Sequence, residues 1–143
     1  MSDHVVYLDA STKEYDKIVD GVKTAILRGA MGRKMPYGRV FPDDELYFIL
    51  NNGEGLVTAK AKVKSVFNSP KLSQEESIQI LEENSVKLNL EPKQFNRFKG
   101  KRYLVVVEIT NPEILTPFSI DKSKFGNMDD WLPVGNIENV KVA

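Results

Sequence analysis

The segment Gly21-Val22-Lys23-Thr24-Ala25-Ile26-Leu27-Arg28 gathers the side chains best suited to chemistry. A lysine and an arginine can each contact a phosphate or a base edge, and here both lie just past a glycine that suits the end of a helix. On a strand their offset puts Lys23 and Arg28 on opposite faces, unless the strand ends or bends before Arg28. Thr24 faces away from Lys23 in the same geometry. Arg33 and Lys34 follow beside Gly32, where exposed backbone amides and two cations suit a phosphate. Tyr37 and Trp131 are placed to stack on a base, although an isolated tryptophan more often anchors a core. The binding residues expected from the sequence are therefore Lys23, Thr24, Arg28, Arg33, Lys34, Tyr37 and Trp131.

Several chemistries are excluded by what is missing. The chain has no cysteine, which removes thiol nucleophiles, disulfides and cysteine-ligated zinc. His4 is the sole histidine and is expected near a mobile N-terminus, so serine–histidine and cysteine–histidine catalysis are set aside. No phosphate-binding loop, dinucleotide fingerprint or nucleophile elbow occurs, and no spaced aspartates resemble a calcium loop. No cofactor or metal is expected. Asp43-Asp44-Glu45 and Asp129-Asp130 read as solvated or capping acids.

The formal charge is zero, from 20 basic and 20 acidic side chains, but its distribution is uneven. Residues 21–42 carry Lys23, Arg28, Arg33, Lys34 and Arg39 without an acid. Residues 55–74 carry Lys60, Lys62, Lys64 and Lys71, and 92–107 carry Lys93, Arg97, Lys99, Lys101 and Arg102, again without one. If these tracts converge they form a positive face on a neutral protein; otherwise they are scattered solvated positions.

The elements that must position these groups follow from periodicity. Val5 to Leu8 reads as an opening strand. Ser11 and Glu14 have capping-box spacing before a helix with Tyr15, Ile18, Val19 and Val22 on one face. Lys23 to Leu27 is a strand, residues 29–44 a long loop of the kind that carries function, and 45–50 a strand turning through Asn-Asn-Gly-Glu-Gly. Leu56 to Phe67 alternates, with Val57, Ala59, Ala61 and Val63 inward, and slips period at Lys64-Ser65-Val66, where a bulge would bend it. A second capping box, Ser73 with Glu76, opens a helix carrying Ile78 and Leu81 inward. Pro92 starts a shorter helix ending near Phe98. Tyr103 to Thr110 is the most apolar strand, expected at the sheet's centre and broken by Asn111-Pro112; the remainder reads as irregular. The predicted core joins Val57 to Val63, Val105 and Val107 with Ile18 and Val19. Together these predict a single α+β domain over residues 1–143, built on a curved or closed, mainly antiparallel sheet with flanking helices. No apolar run is long enough to span a bilayer, and a cytosolic location is expected.

A helix, then Gly-x-Lys-x-x-x-x-Arg entering a strand, a glycine-containing loop, a hairpin and a late Tyr-Leu-Val-Val-Val-Glu-Ile strand resembles the ASCH family of the PUA-like superfamily. The resemblance runs from about Tyr15 to Val140 and includes Pro-Phe-Ser-Ile-Asp and Trp131. Gly21, Lys23 and Arg28 match a family pattern Gly-x-Lys-x-x-Glu-x-Arg, whereas Ile26 stands where the acid would be. The resemblance implies a small β-barrel whose cleft accepts RNA or a nucleoside. Some members hydrolyse acetylated cytidine with a lysine, a hydroxyl residue at that acid position and a glutamate. Ile26 can neither attack nor relay a proton. The expected function is RNA or modified-nucleoside binding; the alternatives are a small hydrolase acting on a modified nucleoside or RNA in the same cleft, with Lys23 central, and a protein-interaction domain with an acidic partner.

Overall fold

The structure, a computed structural model, describes residues 1–121, 123 and 130–142. In chain order the elements are β1 (Asp3–Asp9), α1 (Glu14–Val19), β2 (Ala25–Ala30), β3 (Glu45–Asn51), β4 (Leu56–Asn68), α2 (Gln74–Glu83), α3 (Ser85–Leu88), α4 (Pro92–Phe98), β5 (Tyr103–Ser119) and β6 (Trp131–Gly135), then a single 3₁₀ turn at Ile137–Asn139.

The strands form one six-stranded sheet in the order β2-β5-β4-β3-β1-β6. Every neighbouring pair is antiparallel except β1 with β3. The long β4–β5 ladder is its spine. β3 pairs with the first half of β4, and β2 with the first half of β5, which lies against the far end of β4. The two flanks therefore attach to opposite edges and opposite ends of the spine. Three register shifts bend it, because an unpaired residue increases local twist. One falls between Val63 and Ser65, at the predicted slip. The sheet consequently curls around a core of Val6, Leu8, Ile26, Phe48, Val63, Val107 and Trp131, with Ile18 of α1 set into it. The predicted core residues are all buried except Val19, which is half-buried. A second apolar layer, including Leu27, Leu81, Leu88 and Phe98, seats α2, α3 and α4 on the outside.

Several expectations need correction. β5 does not break at Asn111-Pro112: it runs on to Ser119, and those two residues form a bulge between the Lys60↔Glu113 and Lys62↔Thr110 pairs. Asn111 accommodates it at φ 53°. β5 lies second from the edge, and the middle of the sheet is β4 and β3. Trp131 opens a strand where an irregular tail was expected. Lys23 and Thr24 precede β2 rather than lie within it. In α2 it is Ser77 and Leu81 that are buried, while Ile78 is only half-buried. No ladder joins β2 to β6 among the described residues, so the sheet is a curled half-barrel with an open seam.

Candidate functional site

The open seam is where the polar side chains meet. Arg28, on β2, reaches across it: its guanidinium donates to the carbonyl of Leu27 at 2.9 Å and to that of Tyr7 on β1 at 3.1 Å, and its Nε lies 3.2 Å from Asp130 Oδ2. Below the guanidinium, 5.7 Å away, is the Trp131 ring. A cleft of about 430 Å³ opens beside Arg28, a size typical of small-ligand sites. Tyr7, Asp9, Glu14, Lys34, Arg97 and Asp130 line it, and the small residues Gly29 and Ala30 leave it room.

Glu14 is the centre of the arrangement. The predicted capping box with Ser11 does not form, because Ser11 Oγ donates to Asp9 instead, and Lys13 caps α1 with φ 57° and no side-chain hydrogen bond. Glu14 is thereby free to turn inward. Its carboxylate is 3.8 Å from Lys23 Nζ on one side and 3.8 Å from an Arg28 NH2 on the other, with 4% of the residue exposed. Those separations exceed hydrogen-bond length, so lone pairs remain for a donor in the cleft. Gln94 is nearby: its amide oxygen accepts from the Glu91 N–H, and its NH₂ has no partner among the described residues.

Lys23 sits behind this floor rather than in the cleft. The turn after α1, where Gly21 takes φ 78°, carries its amide onto the carbonyl of Lys17 and the next amide onto that of Lys87. Lys23 Nζ then donates to the carbonyl of Leu88 and faces Glu14, with its side chain 1% exposed. Burial pulls the ammonium down to about 8, more than the Glu14 field raises it, and Arg28 and Lys17 add to the lowering. Asp9 is held below the usual carboxylate range by the Ser11 hydroxyl bond, with Lys93 and Arg97 contributing.

Of the residues expected from the sequence, Arg28 and Lys34 line the cleft, and Tyr37 lines a narrow groove continuing from it. Arg33 stands over the Tyr37 ring at 5.7 Å. Thr24 is exposed and lines neither hollow. Trp131 has no exposed surface and offers no face to a base; its indole N–H donates to His4 Nδ1 at 3.2 Å. His4 is likewise buried in β1 rather than mobile, with Nε2 2.9 Å from Asp44 Oδ2. Since an indole can only donate, Nδ1 accepts and Nε2 donates to Asp44. Asp44 is therefore a core acid, not a solvated one: burial raises its pKa, but hydrogen bonds from His4, Phe41 and Ser2 outweigh this and lower it. Asp130 pairs with Arg28 instead of being purely solvated; Asp129 lies outside the described residues. Sequence reasoning missed Glu14, Asp9, Gln94 and Arg97 as cleft residues. Glu14 had one usable signal, its position four residues before Ile18 on the inward face of α1.

Among the described residues, no helix is long and apolar enough to cross a membrane, and no acidic group is arranged to hold a metal. No protein-family model and no curated protein matches the sequence. Solved structures do. The ASCH protein of Zymomonas mobilis superposes with a TM-score of 0.69 at 14% identity, over 96% of this chain and 90% of that one. A substituted form of the same protein gives 0.69 at 15% identity, over 96% and 94%. The N-terminal domain of McrB from Staphylothermus marinus gives 0.52 at 8% identity, over 92% and 87%. The chain has the fold of that ASCH protein, a curled sheet with its helices packed around it, and its polar cleft lies at the open seam.

Proposed function

We propose that this protein binds RNA or a modified nucleoside by taking one unstacked nucleobase into the cleft beside Arg28. The observation that carries the reading is the Glu14 carboxylate, buried between two cations yet hydrogen-bonded to neither at ordinary length. Such a group accepts well from an exocyclic amine, as acidic side chains do from the amino group of cytosine. The free NH₂ of Gln94 supplies a donor for a ring nitrogen or carbonyl on the same base. Lys34 and Arg97 at the mouth suit a phosphate. A base paired in a duplex cannot enter such a hollow, so the ligand is single-stranded or free.

The test is a titration with cytidine, uridine and their 5′-monophosphates, read from the fluorescence of Trp131, the only tryptophan and a neighbour of Arg28. Cytidine compounds are expected to bind, and Glu14→Gln to weaken them tenfold or more. Absence of binding by any of the four would overturn the reading. A second reading, a hydrolase acting on a modified nucleoside, requires the Lys23 ammonium, brought down to about 8 behind Glu14, to act through that carboxylate. Incubation with N-acylated cytidine distinguishes it by release of the free nucleoside.

A further inference from the structure

We infer that the ligand is a strand rather than a lone nucleoside, its flanking backbone lying on a track of cations that leaves the cleft over Arg33 and Lys101. The inference rests on the proposed base-binding cleft and extends it. The cleft does not end at its own wall: a narrow groove of about 10 Å³ continues from it, and the two hollows share Arg28, Gly29, Ala30, Lys34 and Met35. That groove is too small to admit a base, so it suits backbone passing across it.

Its far side is built to hold a cation in place. Arg33 lies over two rings, Tyr37 at 5.7 Å and Tyr103 at 5.5 Å, and the rings meet edge to face at 5.7 Å. The Tyr37 hydroxyl is tied to the carbonyl of Ser69 at 2.6 Å. Arg33 is therefore oriented by aromatic faces and not by a carboxylate, which keeps its guanidinium edges for a phosphate. Lys101 reaches the same rim, since a methyl added at Gly29 would meet its Cγ at 3.4 Å. The basic tracts around residues 28–39 and 93–102 thus converge across the β2–β5 pair.

Charge pairing points the same way. Lys60, Lys62 and Lys64 on β4 each have a carboxylate within 4.0 Å, from Glu113, Asp43 and Glu108. Among the described residues, Arg33, Lys34, Arg97 and Lys101 have no ion pair. On a protein of zero formal charge, Lys34 and Arg97 lining the cleft, with Arg33 over two rings of its groove and Lys101 beside Gly29, suit the path of a polyanion.

The experiment compares cytidine 5′-monophosphate with tetracytidylate of RNA and of DNA, and with poly-glutamate, at two salt concentrations. Tetracytidylate is expected to bind at least tenfold more tightly than the monophosphate. Arg33→Ala and Lys101→Ala should each shrink that ratio severalfold and flatten the salt slope by roughly 0.7 per cation removed. Lys64→Ala, on a paired lysine, should leave the ratio as it is. A gain shared by RNA and DNA supports a track that reads phosphate, and a gain confined to RNA assigns the strand to RNA. Equal affinity for monophosphate and tetranucleotide overturns the track while leaving the base site standing. Binding of poly-glutamate as tight as that of tetracytidylate also overturns it, in favour of an acidic polypeptide. If neither nucleotide binds, the base site itself falls.

Discussion

Glu14 Oε2 and Lys23 Nζ stand 3.8 Å apart, Glu14 in the floor of the cleft and Lys23 behind it, with side-chain exposures of 5% and 1%. The pair joins α1 to the turn that leads into β2, so the acid is presented to the cleft by a cation that does not enter it. Arg28 approaches the same carboxylate from the other side. One acid thereby balances two basic groups. Lys23 is a positioning residue in this geometry, and its effect on a ligand passes through Glu14.

Removing one member of the pair should be costly. Lys23→Met leaves the buried Glu14 with Arg28 alone and is expected to destabilise the fold by about 3 kcal/mol. Lys23→Met combined with Glu14→Gln should recover at least half of that loss. Urea unfolding of the two single variants and the double variant forms the cycle. Strictly additive costs would show that the two groups do not interact.

The lowered Lys23 pKa gives stability a defined pH dependence. Its folded value is about 8 against an ordinary 10.5, so between these limits the unfolded chain binds more protons and stability rises with pH. Below pH 8 both states are protonated and the burial penalty is constant; across the window about 3 kcal/mol is regained. The Tyr47 phenol, pushed up by burial, works in the opposite sense at the alkaline end. The measurement is therefore the difference between wild type and Lys23→Met in unfolding free energy from pH 7 to 10. A flat difference would show that Lys23 titrates normally.

Gly29 should not tolerate a side chain. A methyl there would lie 2.8 Å from Leu104 Cδ2, which must shift, and 3.2 Å from Phe98 Cδ1, a tight contact. Gly29→Ala is expected to cost about 1–3 kcal/mol by overpacking and to narrow the cleft it lines. Thermal unfolding and nucleotide affinity should fall together; an unchanged melting temperature would mean that Leu104 and Phe98 give way freely.

A substitution outside the cleft separates stability from binding. Ser73 Oγ accepts from the Glu76 N–H at 3.2 Å while Glu76 returns a bond to the Ser73 N–H at 2.9 Å, starting α2. Ser73→Ala should cost about 1 kcal/mol and leave nucleotide affinity unchanged, since neither residue lines the cleft. A loss of affinity would show that α2 is coupled to the site.

The elements governed by neighbours in sequence were legible from it. Alternation placed Val57 to Val63 in the core, the Ser73 capping box placed α2, and Pro92 placed α4, because period, cap chemistry and a fixed φ are local properties. The slip at Lys64 announced the bend. Of the residues in and after the motif Gly21-x-Lys23-x-x-x-x-Arg28, Arg28 and Lys34 line the cleft. What the sequence did not settle depends on partners distant along the chain. Glu14 carries a helix-start spacing that reads as a cap, yet its charge is claimed by Lys23 and Arg28 once β2 folds beneath α1. Asn111-Pro112 reads as a strand breaker, yet the two residues bulge from β5 opposite Ala61 of β4 and the strand runs on. Trp131 and His4, 127 residues apart, become a buried donor–acceptor pair only when β6 docks beside β1. Whether a charge is free or paired is also a tertiary property. The lysines of β4 and the cations of the cleft look alike in sequence, and only the fold brings Glu113, Asp43 and Glu108 against the former while Lys34 and Arg97 have no ion pair among the described residues.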